Sequence, residues 1–265
     1  MKVGLGQIEC VVGDVAGNVE VIVSMIGEAA AQRCDVVWFP ELADTGYALS
    51  TMRDVAGAWS DREHGEAFAS VSAAAKRHGI AVGCGLSERV GQKIYNSLAV
   101  FDACGALAAR YRKVHLFCAG ASDESACFVA GDATQAVELG GITHGLSVCY
   151  DLRFPELYRK LADVRCDVLV NATAWPSARP THWDVLTRAR AIENQAWFVG
   201  VARVGCDEGI AMNGLSRVVD PMGEVVVEGS GDRAELLVAE IDRGAVTAFR
   251  GLVPALRHRR PDVWA

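Results

Sequence analysis

At 265 residues, with 51% hydrophobic and 22% charged side chains, the chain has an ordinary globular composition and material for one large α/β domain or two small ones. A formal net charge of −7 argues against nucleic acid or an anionic membrane as the main partner, and nine cysteines without a C-x-x-C pair disfavour a disulfide framework or a zinc site. No apolar run approaches the ~18 residues of a membrane helix and no signal peptide is visible, so a cytoplasmic protein is expected.

Residues 2–8 read as a first strand, and 17–33 as an amphipathic helix capped by Asn18, with Val19, Ile22, Val23, Ile26 and Ala30 on one face. Residues 35–39 form a short buried strand that Pro40 stops, and Glu41 follows at once. A carboxylate just past a buried strand is placed to point into a crevice at the strands' carboxyl ends. An exposed loop glutamate is the alternative. A loop over 42–61 carries Tyr47, and 62–78 read as a second helix. Strands over 80–88 and 94–101, a turn at 102–105 and a segment 106–112 follow.

Lys113 then sits where a basic cluster enters an apolar one, either aimed at a reactive group or snorkelling to the surface. A loop over 119–125 carries Asp123 and Glu124. Residues 134–139 and 142–148 make a hairpin-like pair that ends at Cys149, and Pro155 opens a helical stretch to 163. A strand over 167–171, a loop from Trp175 to Pro180, a long helix over 181–195 and a strand over 196–203 come next. Strands over 215–220, 225–228 and 236–241 finish the sheet. Asn96…Asp102-x-x-Gly105 and Asn213…Asp220-x-x-Gly223 echo each other, which hints at two related halves. The tail from Pro254, with the basic run Arg257-His-Arg-Arg260, reads as a salt-bridged arm rather than a nucleic-acid or targeting segment in so acidic a chain.

Cys149 therefore lies at a strand-to-helix turn, where an α/β fold thrusts a nucleophile out of the sheet and backbone N–H groups can receive an oxyanion. The role requires neighbours that turn the thiol into a thiolate, and such a thiol alkylates at lower pH than the other eight. A buried core cysteine is the bland reading of the same turn.

Taken together, Phe39-Pro-Glu41, Tyr111-Arg-Lys113-Val-His-Leu-Phe117 and Cys149-Tyr-Asp-Leu-Arg-Phe-Pro-Glu156 resemble, in order and spacing, the three signature segments of the nitrilase superfamily of carbon–nitrogen hydrolases. The resemblance runs from Lys2 to Trp264 and takes in Arg188-Ala-Arg-Ala-Ile-Glu-Asn-Gln195 and Ser216…Asp220-Pro-Met-Gly223-Glu224. Ala174-Trp-Pro176, Thr181-His-Trp183 and Arg257-His-Arg-Arg-Pro-Asp-Val-Trp264 are similar to the omega-amidase branch, which hydrolyses the terminal amide of 2-oxo dicarboxylic acid monoamides. Ala130 stands where the family commonly has Pro, and Leu215 where a His often precedes Ser216.

The resemblance implies an αββα sandwich: a single domain over 1–265 with a C-terminal arm from about 250, assembled as a homodimer or higher homo-oligomer. It implies a small-molecule amide substrate, with Cys149 as nucleophile, Glu41 as acid and base, and Lys113 with the backbone N–H of Tyr150 holding the oxyanion. Glu124 corresponds to the family's additional glutamate. Substrate binding is expected from Arg153, with Tyr47 and Trp175 as walls; a structural ion pair of Arg153 with Asp151 or Glu156 is its alternative. Protein groups and water suffice for this chemistry, so no metal or organic cofactor is called for. Rival readings are an N-carbamoyl amino acid amidohydrolase with the same triad, a Cys149 hydrolase using His182 or His258, and a non-catalytic scaffold with a redox-sensitive thiol.

Overall fold

The computed structural model describes residues 1–57, 59, 65–120 and 122–264. The start of the helix predicted over 62–78 and the end of the loop predicted over 42–61 lie outside the described residues. Twelve strands alternate with helices: β1 (Lys2–Gln7), α1 (Val15–Ala31), β2 (Val36–Trp38), α2 (Glu66–His78), β3 (Ala81–Val90), β4 (Lys93–Phe101), β5 (Leu107–Arg112), β6 (Gln135–Leu139) and β7 (Ile142–Val148). After them come α3 (Pro155–Asp163), β8 (Val168–Thr173), α4 (Pro180–Asn194), β9 (Trp197–Ala202), β10 (Arg217–Val219), β11 (Val225–Glu228), β12 (Glu235–Glu240) and α5 (Arg243–Leu252). Two two-residue hairpins, Cys118–Ala119 with Ser122–Asp123 and Cys206–Asp207 with Ile210–Ala211, complete the strands.

The long strands form two six-stranded sheets, ordered β12-β1-β2-β3-β4-β5 and β6-β7-β8-β9-β10-β11. Read in these orders, both sheets pair antiparallel, parallel, parallel, antiparallel, antiparallel. The echo around Asp102 and Asp220 marks this repeat. Each aspartate opens the turn between the last two strands of its sheet and accepts two backbone N–H groups, from Cys104 and Ala106 in one and from Met222 and Glu224 in the other. Gly105 and Gly223 take the left-handed conformation that each turn requires.

Alternation along the strands sets the layers. Val3, Leu5, Val36 and Trp38 face the interior between the sheets, while Val37 and Phe39 belong to a second core beneath α1 and α2. Across the interior, the Trp38 ring meets His144 of β7 at 5.6 Å. On the far side of the second sheet, Gly145 leaves room for Leu161 of α3, and Trp183 of α4 covers Gly200. The result is the αββα sandwich.

Two local expectations are corrected. Asp14, not Asn18, caps α1, accepting the Gly17 N–H at 3.0 Å. Asn18 is buried instead, where it bonds both polar groups of Val11 and the Asp44 carbonyl. Helix α5 was absent from the sequence reading because Gly244 and Gly251 interrupt its pattern; Asp242 starts it by accepting the Gly244 N–H at 2.7 Å. Beyond α5 the tail meets the body where Arg259 pairs with Asp163.

Gly85 of β3 lets the chain after β2 cross close overhead. A Cβ on Gly85 would stand 2.2 Å from the Pro40 carbonyl oxygen and 2.7 Å from Glu41 Cα, whereas one on Gly251 meets nothing within 4 Å. Gly85→Ala is expected to lower unfolding free energy by about 3 kcal/mol in urea denaturation, and Gly251→Ala to be neutral or stabilising by about 0.5–1 kcal/mol. Equal stabilities would contradict the crossing.

Candidate active site

The carboxyl ends of strands from both sheets converge on one crevice. Glu41 follows β2, Lys113 follows β5, Cys149 follows β7, and Ala174 follows β8. Glu124 opens a short 3-10 turn, Glu124–Ala126. Lys113 Nζ donates to Glu41 Oε1 and to Glu124 Oε1, each at 2.8 Å, and none of the three side chains has exposed area. The sequence readings of Glu41 as an exposed loop residue and of Lys113 as a snorkelling one are thereby excluded.

Each carboxylate has further donors. Glu41 Oε1 also accepts Asn96 Nδ2 at 2.7 Å, and Oε2 accepts the Ala174 N–H at 2.9 Å. Glu124 Oε1 also accepts the Tyr47 hydroxyl at 2.7 Å, and Oε2 the Phe117 N–H at 2.9 Å. Counting capacities leaves one free lone pair on Oε2 of Glu41, one on Oε2 of Glu124 and, among the described residues, one ammonium N–H of Lys113 without an acceptor. The Lys113 N–H and a carboxylate lone pair remain for a ligand.

Cys149 occupies a strained backbone position, φ +42°, a conformation costly for a residue with a Cβ. The constraint comes from Asp151, fully buried two residues on. Its carboxylate accepts the N–H groups of Val148 (2.9 Å) and His115 (3.0 Å) and the Tyr111 hydroxyl (2.7 Å), and it lies 2.7 Å from His115 Nδ1. These bonds hold the end of β7 and the start of the 3-10 turn Cys149–Arg153 together. Tyr150, second in that turn, has an N–H with no acceptor inside it.

The electrostatics leave the ionisation of Cys149 to its neighbours. Burial and the negative charge of Glu41 push the Cys149 thiol far up; Lys113 opposes them but does not prevail. Lys113 itself is held well above its ordinary value: burial works against its charge, and Glu124 and Glu41 outweigh burial. One ammonium serves two carboxylates, so no positive charge is left over to ionise sulfur. The resting site holds a thiol.

Outside this cluster lies a pocket of about 470 Å³, counting its open mouth. Cys149, Glu124 and Tyr47 lie in its lining, Phe117, Trp175, Ile210 and Met212 make its apolar wall, and Arg153 and Arg179 bring guanidinium groups to it. Tyr47 is thus more than a wall, since its hydroxyl braces Glu124. Arg153 forms no ion pair with Asp151 or Glu156; its guanidinium lies 4.8 Å from the Trp175 ring centroid and 3.1 Å from His182 Nδ1. His182 therefore faces Arg153 from an exposed position, and His258 is exposed on the tail.

Sequence reasoning missed Asn96 as a partner of Glu41, the Ala174 N–H and Arg179. Asn96 carried a signal, as the first residue of the internal echo; the others had none. Leu215, at the position noted for a missing His, takes φ +55° and accepts the Trp183 indole N–H at 2.9 Å. Near Ala130, the Val129 N–H bonds Ile94 and the Gly131 N–H bonds Lys113, so backbone contacts hold the loop that leads from Glu124.

This fold and this site define a hydrolase. The family described as carbon-nitrogen hydrolase matches residues 2–251, and the chain belongs to it, within the nitrilase superfamily. The chain is 39% identical over 178 residues to the 2-oxoglutaramate amidase of Paenarthrobacter nicotinovorans, an alignment covering 65% of this chain and 59% of that protein. It is 33% identical to the 2-oxoglutaramate amidase of Bacillus subtilis (strain 168), over 89% of each. Among solved structures, a mutant of the amidase from Nesterenkonia sp. AN1, with acrylamide added at its active-site cysteine, superposes with TM-score 0.88 at 25% identity, covering 99% of this chain and 98% of that one.

The charge count has a direct consequence for reactivity. The rate of Cys149 alkylation by iodoacetamide, followed by peptide mass mapping, is expected to keep rising past about pH 9 in the free protein. A plateau below about pH 8 would mean that a thiolate already exists at neutral pH.

Proposed function

We propose that the protein is a thiol amidase that converts the terminal carboxamide of a short carboxylic acid to acid and ammonia, in the manner of an omega-amidase. The carrying observation is the spare capacity of the buried cluster beside Cys149: one free N–H on Lys113 and one free lone pair on Glu41. An amide needs a donor for its oxygen and an acceptor for the nucleophile's proton. Lys113 offers the donor and Glu41 the acceptor. The two amidases named above support the substrate class.

The proposed sequence of steps is short. The amide carbonyl oxygen takes the spare Lys113 N–H and the Tyr150 N–H. Because Cys149 rests as a thiol, its proton passes to Glu41 as sulfur attacks the carbonyl carbon. Each oxyanion donor contributes about 3–4 kcal/mol once charge develops on oxygen. Glu41 then protonates the departing nitrogen, ammonia leaves, and a thioester remains on Cys149. Water enters, gives a proton to Glu41, and attacks the thioester carbon. Collapse of that intermediate returns the proton to sulfur and releases the acid. Glu124 keeps Lys113 in place, and Arg153, against Trp175, holds the substrate's carboxylate.

The C-terminal strand β12 pairs with β1 in the first sheet, and we read the whole as one domain with a C-terminal arm. Exposed Val185 and Ile192 on α4 and Leu252 on α5 support assembly of the helical layer against a second copy of the chain. Among the described residues no helix is long and apolar enough to cross a membrane, which supports the cytoplasmic reading.

Ammonia release from 2-oxoglutaramate, succinamate, glutamine and N-carbamoyl-β-alanine tests the proposal. Turnover of the first two is expected, with Cys149→Ala lower by about 10⁴-fold or more. Turnover of the carbamoyl compound alone would assign the carbamoylase reading. Full activity of Cys149→Ala would refute the thiol mechanism.

A further inference from the structure

The pocket holds a second cation that the mechanism above does not use. Arg179 precedes α4, and its main chain is fixed to the pocket wall: its carbonyl accepts the Trp175 indole N–H at 3.0 Å, and its N–H donates to the Pro176 carbonyl at 3.1 Å. Its guanidinium lies 5.8 Å from the Phe117 ring centroid. Arg153 lies in the same pocket, over Trp175 and, at 5.8 Å, over Tyr150.

Neither guanidinium has a carboxylate partner among the described residues. Several other half-buried or buried arginines do have one: Arg203 pairs with Asp207, Arg217 with Asp184 and Glu228, and Arg112 with Glu88. The acid in the pocket, Glu124, is already committed to Lys113, Tyr47 and the Phe117 N–H. Burial and the neighbouring Arg179 charge lower the proton affinity of Arg153, so the two cations feel each other. Like charges set together in a pocket with apolar walls repel unless an anion comes between them.

We propose that Arg179 is a specificity-determining residue that closes a two-guanidinium clamp with Arg153 on the anionic end of the substrate. This inference rests on the amidase reading and sharpens its substrate class. A carboxylate offers two oxygens with about four acceptor sites, enough for a fork from each side. An oxo oxygen next to the carboxylate adds a further acceptor for the same donors. The site then selects amides of short dicarboxylic or 2-oxo dicarboxylic acids over neutral amides of equal length.

The test compares wild type, Arg179→Met and Arg179→Lys on succinamate and on its methyl ester, which has the same chain without the charge. In Arg179→Met the ratio of kcat/KM for succinamate to that for the ester is expected to fall at least about 10-fold, chiefly through KM, with Arg179→Lys between the two. Equal losses on both substrates would make Arg179 structural and overturn the clamp, as would no loss on either. Succinate binding by calorimetry, which needs no turnover, keeps this inference separate from the amidase reading. Succinate is expected to bind wild type and to weaken at least about 10-fold in Arg179→Met. Unchanged binding, or none to wild type, would overturn the clamp even if amide hydrolysis is found; binding that behaves as expected without any hydrolysis would instead leave the clamp and remove the amidase.

Discussion

Everything at the carboxyl ends of the two sheets depends on one lysine held between two glutamates. Burying three charges costs several kcal/mol per ion, and removing one partner of such a pair typically costs about 3–5 kcal/mol. The fold meets that cost with directed bonds. Asn96 and the Ala174 N–H serve Glu41, while Tyr47 and the Phe117 N–H serve Glu124. These partners come from segments far apart in the chain, so the cluster exists only when both sheets are packed. Its negative balance keeps Cys149 protonated, which makes Glu41 a necessary proton acceptor instead of a bystander.

Support for this cluster extends outward through buried ions that touch no substrate. Arg203 and Asp207 form a buried pair, and Asp207 Oδ2 also accepts the Tyr47 N–H at 2.6 Å. Tyr47 in turn donates its hydroxyl to Glu124. Asp44, raised to about 6 by burial despite the Ser87 hydrogen bonds, accepts from Ser87 on β3 and so ties the same loop to the first sheet. On the opposite side Asp151 pins the turn at Cys149. Nucleophile and charge cluster are thus fixed by two networks, each of which draws partners from both sheets.

Much of this was legible in the sequence because the functional groups follow strand-breaking signals. Val36–Trp38 ends at Pro40, and Glu41 stands directly after it; Cys149 stands between an apolar strand and Pro155. Position relative to a strand end is a local property, readable from periodicity and proline. The resemblance to known signature segments then supplied the partnership that locality cannot. What stayed hidden was long-range or backbone in origin: the Ala174 N–H has no side chain to advertise it, and Arg179 looks like any loop arginine until Arg153 and Phe117 surround it. Lys113 was legible as a nearby charge, but its sharing between two acids is a matter of geometry. The two-fold repeat showed itself only at the Asp102 and Asp220 turns, where hydrogen bonding demands particular residues, because the strands need only be apolar.

The most direct test of the central claim is a partition experiment with hydroxylamine. The succinyl amide and the matching methyl thioester, with the carboxylate at the far end, would be turned over at several hydroxylamine concentrations, and the ratio of hydroxamate to acid measured for each. A common thioester on Cys149 predicts the same ratio at every concentration whichever leaving group is used. Ratios that differ between amide and thioester would contradict a shared covalent intermediate, and with it the role assigned to the thiol above the Glu41, Lys113 and Glu124 cluster.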